Sequence, residues 1–350
     1  MKPIRKPSRR KSNIELLQDG LTTTIPEELI SILIPFKKLN LHVLECLEKI
    51  SNLNYANFEI ILLPDESFKN SEISQIVHNE QISIKATGNV PPGTKRNIGT
   101  KHAKGSIIAF IDDDAYPDQN WLKNAVKHFG NHEVAAVGGP NLTPPSNGIM
   151  QKAGGMILQS RIGGGSFSHR YKSHKIREDN DLPTVNLIIK KDILTRLGGF
   201  DTKYYPGDDT YLCLQITNKL GKKILYSPDV IVYHHRRPLF IPHMQQIWNY
   251  GKHRGYFAKK FPQTSRKPLF FLPTILVLSL IFSPFLLLLP TILGQIYLAT
   301  ILLYFFLIFI ESIKTGTLRL SSLIFVGIIL THVSYGIGFL VGLLSQKLDQ

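Results

Sequence analysis

Short apolar runs alternate with helical stretches along the first two thirds of the chain, and beyond them charged residues nearly disappear. Residues 29–34, 58–63, 82–84, 106–111, 134–137 and 230–233 are apolar runs flanked by turn-forming residues, the mark of buried strands. Helical spacing covers residues 41–50, 71–77, 93–104 and 210–220. A further helix is expected to open at Pro117, because proline suits a first helical turn. Strands and helices in this alternation predict parallel βαβ units with right-handed crossovers. Ligands on such sheets bind at the carboxyl ends of the strands, where Pro35, Asp65 and the triplet Asp112, Asp113 and Asp114 fall. Residues 160–182, rich in Gly, Ser, His and charge around Gly163, Gly164 and Gly165, interrupt the pattern and read as a mobile flap beside an acceptor site.

The apolar end changes the picture. Residues 269–310 are 42 positions without Asp, Glu, Lys or Arg, and residues 321–344 add 24 more. A bilayer crossing takes about 20 apolar residues, so three transmembrane helices are expected at about 269–289, 291–310 and 321–344, with Pro284 and Pro290 marking the first turn. The preceding 268 residues carry 38 Lys and Arg against 24 Asp and Glu. Basic residues gather on the cytoplasmic side, which predicts a cytoplasmic domain at the inner (plasma) membrane and, after three spans, an external C-terminus. Residues 238–268 mix aromatic and basic side chains, as does a helix lying among lipid headgroups or an ordinary amphipathic helix packed on the domain. Residues 1–28 form a basic tail, with six Lys and Arg before the first acid, Glu15. It reads as solvated and disordered, with anionic lipid as a second reading. Nucleic acid is not expected, since no zinc spacing, helix-turn-helix pattern or aromatic strand signature accompanies the charge. No secretory signal is visible, and Cys46 and Cys213 read as reduced core residues.

Two acidic clusters carry the candidate chemistry. Asp112, Asp113 and Asp114 end an apolar strand, and Asp208 and Asp209 follow Gly207 about a hundred residues later. Carboxylates at a strand end suit a hard divalent cation, which in turn can hold a diphosphate. The second pair could supply a general base. Plainer readings stand beside these: the triplet as a helix N-cap, and one of Asp208 and Asp209 as the cap of the helix that follows.

Several motifs together resemble family 2 glycosyltransferases. They are Ile34-Pro35, Pro64-Asp65-Glu66-Ser67, Gly93 to Gly99, the Asp112–Asp114 triplet, Gly198-Gly199-Phe200-Asp201 and Gly207-Asp208-Asp209, in the order and spacing of that family over residues 29–237. The resemblance implies the GT-A nucleotide-sugar-binding fold, an α/β domain with a mostly parallel sheet flanked by helices, here followed by C-terminal transmembrane helices. It also implies residue roles. Pro35 and Asp65 would hold the nucleoside, Arg96 and Asn97 the nucleotide sugar, and Asp112 with Asp113 the ribose or sugar. Asp114 would ligate Mg²⁺ or Mn²⁺, with His234 either a second ligand or a phosphate-facing or structural histidine, and Asp209, beside Asp208, would take the proton of the acceptor hydroxyl.

Two departures sharpen the expectation. Phe36-Lys37-Lys38 follows Pro35 in place of the family's aromatic-Asn pair, and Gln-x-x-Arg-Trp, the acceptor-chain motif of processive synthases, is absent. The expected protein is therefore a non-processive, inverting, metal-dependent transferase that moves a sugar from a nucleotide-sugar donor to a lipid-linked or glycan acceptor among membrane lipids. A polyprenyl-phosphate sugar synthase is the enzymatic rival. A membrane-anchored sugar-nucleotide-binding protein without turnover is the other.

Overall fold

The computed structural model describes residues 28–73, 82–288 and 292–348. The basic tail and Pro290 lie outside these residues. The first strand, β1 (Ile30–Pro35), has every residue buried, as expected of a strand covered on both faces. It leads through Asn40, whose side chain accepts the N–H groups of His42 and Val43, into α1 (Leu41–Ser51), whose buried stripe is Val43, Cys46, Leu47 and Ile50. Next come β2 (Phe58–Leu63), β3 (Ile82–Ile84), α2 (Pro92–His102) and β4 (Ile107–Phe110). After β4 lie β5 (Ala115–Pro117), α3 (Trp121–Val126), β6 (Val134–Gly138) and β7 (Asn141–Leu142). The chain continues through α4 (Ile149–Gln159), α5 (Arg161–Gly164), β8 (Arg177–Asp179), β9 (Leu187–Lys190), α6 (Lys191–Leu197) and α7 (Asp208–Leu214). Strands β10 (Lys223–Tyr226) and β11 (Val232–His234) complete the domain.

Eight strands form one sheet in the order β3-β2-β1-β4-β9-β6-β10-β8. Pairs β3-β2, β2-β1, β1-β4 and β6-β10 are parallel, whereas β9 runs antiparallel to both of its neighbours and β8 antiparallel to β10. The sheet is thus mixed. Alternate side chains serve opposite layers, as the pleat requires: Ile30, Ile32 and Ile34 pack with α1 and Trp121, while Leu33 packs with Leu194 and Leu212 of α6 and α7.

The segments that depart from expectation do so for local reasons. Pro117 ends a strand rather than opening a helix: β5 pairs antiparallel with β11 in a small second sheet, β5-β11-β7. Proline is tolerated at an edge that needs no N–H, and the helix waits until Trp121. The helix expected at 71–77 begins as a 3₁₀ turn, Asn70–Glu72, and its remainder lies outside the described residues. Residues 160–182 are no open flap, because they fold into α5, a 3₁₀ turn and β8, with His169, Arg170, Asp179 and Asp181 buried in ion pairs.

The C-terminal third opens with α8 (Ile241–Lys260) and α9 (Pro262–Ser265). Then α10 (Pro268–Ile281) and α11 (Ser283–Leu288) run outward, α12 (Ile292–Ile313) returns, and α13 (Leu318–Leu344) ends the fold. Helices α12 and α13 are long and apolar enough to cross a membrane, whereas the first apolar stretch is broken into two shorter helices. Only 11% of the most apolar window of α12 is buried, against 39% in α13. That difference comes from glycine. Side chains at Gly255 and Gly342 would collide with the backbones of Phe339 and Lys252, so α8 and α13 pack backbone to backbone, as small residues at four-residue spacing allow. His243 and Lys259 of α8 bond to Thr331 and to the Leu343 carbonyl, which makes the two helices parallel along their contact. Near the start of α13, Gly327 touches Ile157 of α4, and beyond its end Leu348 is buried with Tyr204, Tyr256 and Phe257. Both ends of α13 therefore lie against the domain, which differs from the far-side C-terminus that three spans imply.

Candidate active site

The strand ends expected to bind a ligand do converge. At the end of β1, Lys95 of α2 is buried and donates to the Phe36 carbonyl at 2.5 Å and to a carboxylate oxygen of Asp65. Asp65 is thereby fixed where the loop after β2 turns, with its backbone bonded to Lys37 and Gly88. Pro35 is the buried last residue of β1 beside it. One position on, Arg96 holds Asp112 at 2.6 Å, and its buried Nε has no partner. Asn97 points elsewhere: its amide donates to the Phe200 carbonyl and accepts the Phe200 N–H, both at 2.8 Å. That fastens the loop containing Gly198 and Gly199 to α2.

The triplet follows β4 as a turn, with the Ala115 N–H bonded back to Asp112. It caps no helix. Asp114 meets His234 of β11 at 3.0 Å and Arg237 at 3.4 Å, since pairing of β5 with β11 sets His234 opposite Ala115. The other ring nitrogen of His234 lies 3.2 Å from Arg236. The carboxylate and imidazole are in contact and aimed at each other, an oxygen and nitrogen set that suits Mn²⁺ better than the all-oxygen preference of Mg²⁺.

The second acidic pair occupies the first turn of α7, after Gly207 as N-cap. Asp208 is buried, one of its oxygens has no partner, and that oxygen sits so close to Gly93 that no side chain fits there. Asp209 accepts the Thr210 N–H at 2.7 Å. Behind it stands a buried cluster: Asp181 binds Arg254 at 2.5 Å, Arg170 at 3.0 Å and the Thr210 hydroxyl at 3.0 Å. Asp209 also lines a cavity of about 670 Å³ that continues past Tyr250, Arg254 and Phe270 to α10, α12 and α13.

Residues 31–190 match the family model described as glycosyl transferase family 2. This region is a family 2 glycosyltransferase domain. The chain is similar to glycosyltransferase AglE of Haloferax volcanii, 25% identical over 235 residues that make up 62% of this chain and 70% of that protein. It is also similar to the Methanococcus voltae dolichyl N-acetyl-alpha-D-glucosaminyl phosphate 3-beta-D-2,3-diacetamido-2,3-dideoxy-beta-D-glucuronosyltransferase, 24% identical over 246 residues, or 66% and 74% of the two chains. A pre-mycofactocin glycosyltransferase of Mycobacterium tuberculosis is 26% identical over 146 residues, only 30% of its length. The solved mannosyltransferase PcManGT of Pyrobaculum calidifontis, in complex with GDP-Man and Mn²⁺, shares the fold with a TM-score of 0.61 at 16% identity, over 95% of this chain and 92% of that one.

Within the transferase the two acidic regions differ in charge state. Burial works against ionisation of Asp114, but the charge and hydrogen bond of His234, with Arg237 beyond, hold it below the usual carboxylate range. Asp113 is pushed up to about 6 by burial and by its acidic neighbours. Burial also raises Asp208 despite nearby Arg96. Asp209 rises furthest, to about 7, from burial first and then from the charges of Asp208 and Asp181. A carboxyl poised there can exchange a proton near neutral pH.

Lys95, Arg170, Asp181 and Arg254 are site residues that the motifs do not point to. Lys95 stands in the Gly93–Gly99 run, where one helical position separates it from Arg96. The other three lie up to 84 positions apart in sequence, and only the fold joins them.

Proposed function

We propose that the transferase moves a sugar from a nucleotide-diphosphate sugar to a hydroxyl of a lipid-linked glycan or glycolipid at the cytoplasmic membrane face, one sugar per encounter and with inversion. The observation that carries the reading is Asp209: a half-buried carboxyl near neutrality, at the head of a cavity that continues to the apolar helices. On the donor side Lys95 orients Asp65 for the nucleoside, and Arg96 steadies Asp112 while keeping one free donor for the donor substrate. Asp114 and His234 would hold Mn²⁺ or Mg²⁺, which supplies Lewis-acid stabilisation of the leaving diphosphate. The Mn²⁺ and GDP-Man in the complex of PcManGT support this assignment. In transfer, the acceptor oxygen bonds to the anomeric carbon as the bond from that carbon to the diphosphate breaks. The hydroxyl proton passes to Asp209, and the electron pair leaves with the nucleoside diphosphate. With a single carboxylate acting as base and no carboxylate nucleophile assigned, the displacement is direct and the anomeric centre inverts.

The membrane reading follows the same geometry. Helices α10 and α11 enter the bilayer, α12 returns, and α13 stays with α8 at the headgroup level, so the domain and C-terminus share the basic cytoplasmic side. Cysteines placed at Lys123 and Ser345 are then labelled by an impermeant reagent from the same face. Labelling from opposite faces removes this arrangement.

The rival with a lipid phosphate as acceptor gains support from Arg170 and Arg254, which line the same cavity as Asp209. Full-length protein in detergent, given a panel of nucleotide sugars with and without Mn²⁺, tests the general reading by diphosphate release. No metal-dependent release with any donor would refute it.

A further inference from the structure

Resting on the function proposed above, we infer that the cavity below Asp209 is the seat of an isoprenyl phosphate acceptor: its chain lies between α10 and α12, and its reacting hydroxyl sits within one or two sugars of the phosphate. One continuous space, partly open, joins the candidate base to the apolar helices. Asp209, Arg170 and Arg254 line its upper end, and Leu272, Ile275 and Ile301 line its lower end. Leu272 and Ile275 are more than half exposed, so this end opens on the lipid-facing side of α10. The polar end is suited to an anion. Arg161, also on the wall, is exposed and makes no ion pair among the described residues. Three wall residues keep buried groups without partners, Arg170 through its Nε, Tyr335 through its hydroxyl and His253 through its ring nitrogens. A buried donor left unsatisfied is costly, and a phosphate in the cavity offers acceptor oxygens to such donors.

Volume limits the head. About 670 Å³ is within the range that encloses one drug-sized ligand. Whatever separates the lipid phosphate from the reacting hydroxyl must fit in that space together with the first part of the chain. A long glycan does not. The enzyme would therefore act early in assembly, just after the class of reaction that charges a lipid phosphate with its first sugar or sugar phosphate. The branched isoprenyl chain is chosen because the relatives named for lipid substrates carry dolichyl groups.

The test uses full-length protein in nanodiscs and a photoreactive C20 isoprenyl monophosphate with a diazirine on its chain. Adducts mapped by mass spectrometry are expected on the α10 and α12 residues of the cavity wall. Excess isoprenyl monophosphate should suppress them, and neither isoprenol nor the anionic phospholipid phosphatidylglycerol should. Leu276→Trp with Ile301→Trp fills the lower end and should lower labelling by about tenfold, whereas Tyr335→Phe weakens competition by the phosphate severalfold. Isoprenyl diphosphate bearing one sugar should compete at least about tenfold better than the same lipid bearing a long oligosaccharide. Labelling spread evenly over the outer face of α12, or equal competition by isoprenol or phosphatidylglycerol, overturns the site. Equal competition by the long glycan overturns the short head. Nucleoside diphosphate binding with Mn²⁺, measured on the same nanodiscs, separates the two readings. Its presence without cavity labelling rejects only the lipid seat, and its absence with specific labelling rejects only the donor chemistry.

Discussion

The two acidic regions of this enzyme solve opposite problems. Asp112 and Asp114 meet cations from other elements, Arg96, His234 and Arg237. Asp208 is buried and Asp209 half-buried in the first turn of a helix, and the guanidinium groups near them are committed elsewhere, Arg96 to Asp112 and Arg170 to Asp181. The compensated Asp114 is held below the usual carboxylate range and can exchange a protein cation for a metal ion. Both undercompensated carboxyls are raised, and Asp209, at about 7, can take a proton from a substrate once it is ionised. Local charge balance, more than residue type, divides donor chemistry from acceptor chemistry here.

The largest effect expected from disturbing that division is at Asp114. Asp114→Asn replaces a carboxylate ligand with a weaker amide oxygen and leaves His234 facing a neutral group. Metal-dependent turnover should vanish, and calorimetry should show loss of donor-diphosphate binding in the presence of Mn²⁺. Turnover near wild type would mean that the metal sits elsewhere.

Asp209→Asn should act on the other half alone. Positioned proton transfer is worth about 10²- to 10⁴-fold, so kcat should fall by that factor while donor affinity with Mn²⁺ holds. Equal loss of donor affinity would move Asp209 into the donor site. Nearly unchanged transfer to a lipid phosphate would favour the rival, since a phosphate acceptor needs little help from a base.

A smaller effect comes from pH. Asp209 acts as base only when ionised, and its carboxyl titrates at about 7, so kcat should rise with pH through about 7 and level above it, with a loss of about tenfold one unit below the midpoint. Stability should run the other way. A carboxyl raised in the folded state favours folding while it is protonated, and that advantage is lost as pH rises from its ordinary value of about 4 to about 7. Asp209→Asn should remove both dependences. A rate profile that keeps the same midpoint in the variant would assign the titration to another group.

Much of this arrangement was legible as pattern. Strands β4 and β6 are continuous apolar runs, β1 and β2 are broken only by Ser31 and Glu59, and a strand end followed by acids is where such a sheet binds ligands. The antiparallel β9 was not, because four apolar residues carry no direction. Pro117 was misread because a proline fits a first helical turn and a strand edge equally well. Hydropathy also could not distinguish α12 from α13, since lipid and protein bury apolar side chains alike. The distinguishing signal was spacing: Gly251 and Gly255 face Gly338 and Gly342 at four-residue intervals. Asp181 and Arg254 escaped because their partnership spans 73 positions and leaves no local trace.

The smallest expected effect concerns Asn97, where motif and geometry disagree. The family resemblance puts it at the nucleotide sugar, yet its amide is spent on both backbone groups of Phe200. Asn97→Ala should therefore weaken folding rather than donor binding. Two partly buried hydrogen bonds of about 1 kcal/mol each suggest a loss of about 2 kcal/mol, read as a lower midpoint in denaturant with unchanged affinity for the donor diphosphate. Phe200 also lies under the Arg96 guanidinium, 5.7 Å from its ring centre, so loosening that loop should reach Arg96 and lower kcat modestly. Unchanged stability with a clear loss of donor affinity would show that Asn97 leaves Phe200 when the nucleotide sugar arrives, and would return it to the donor site.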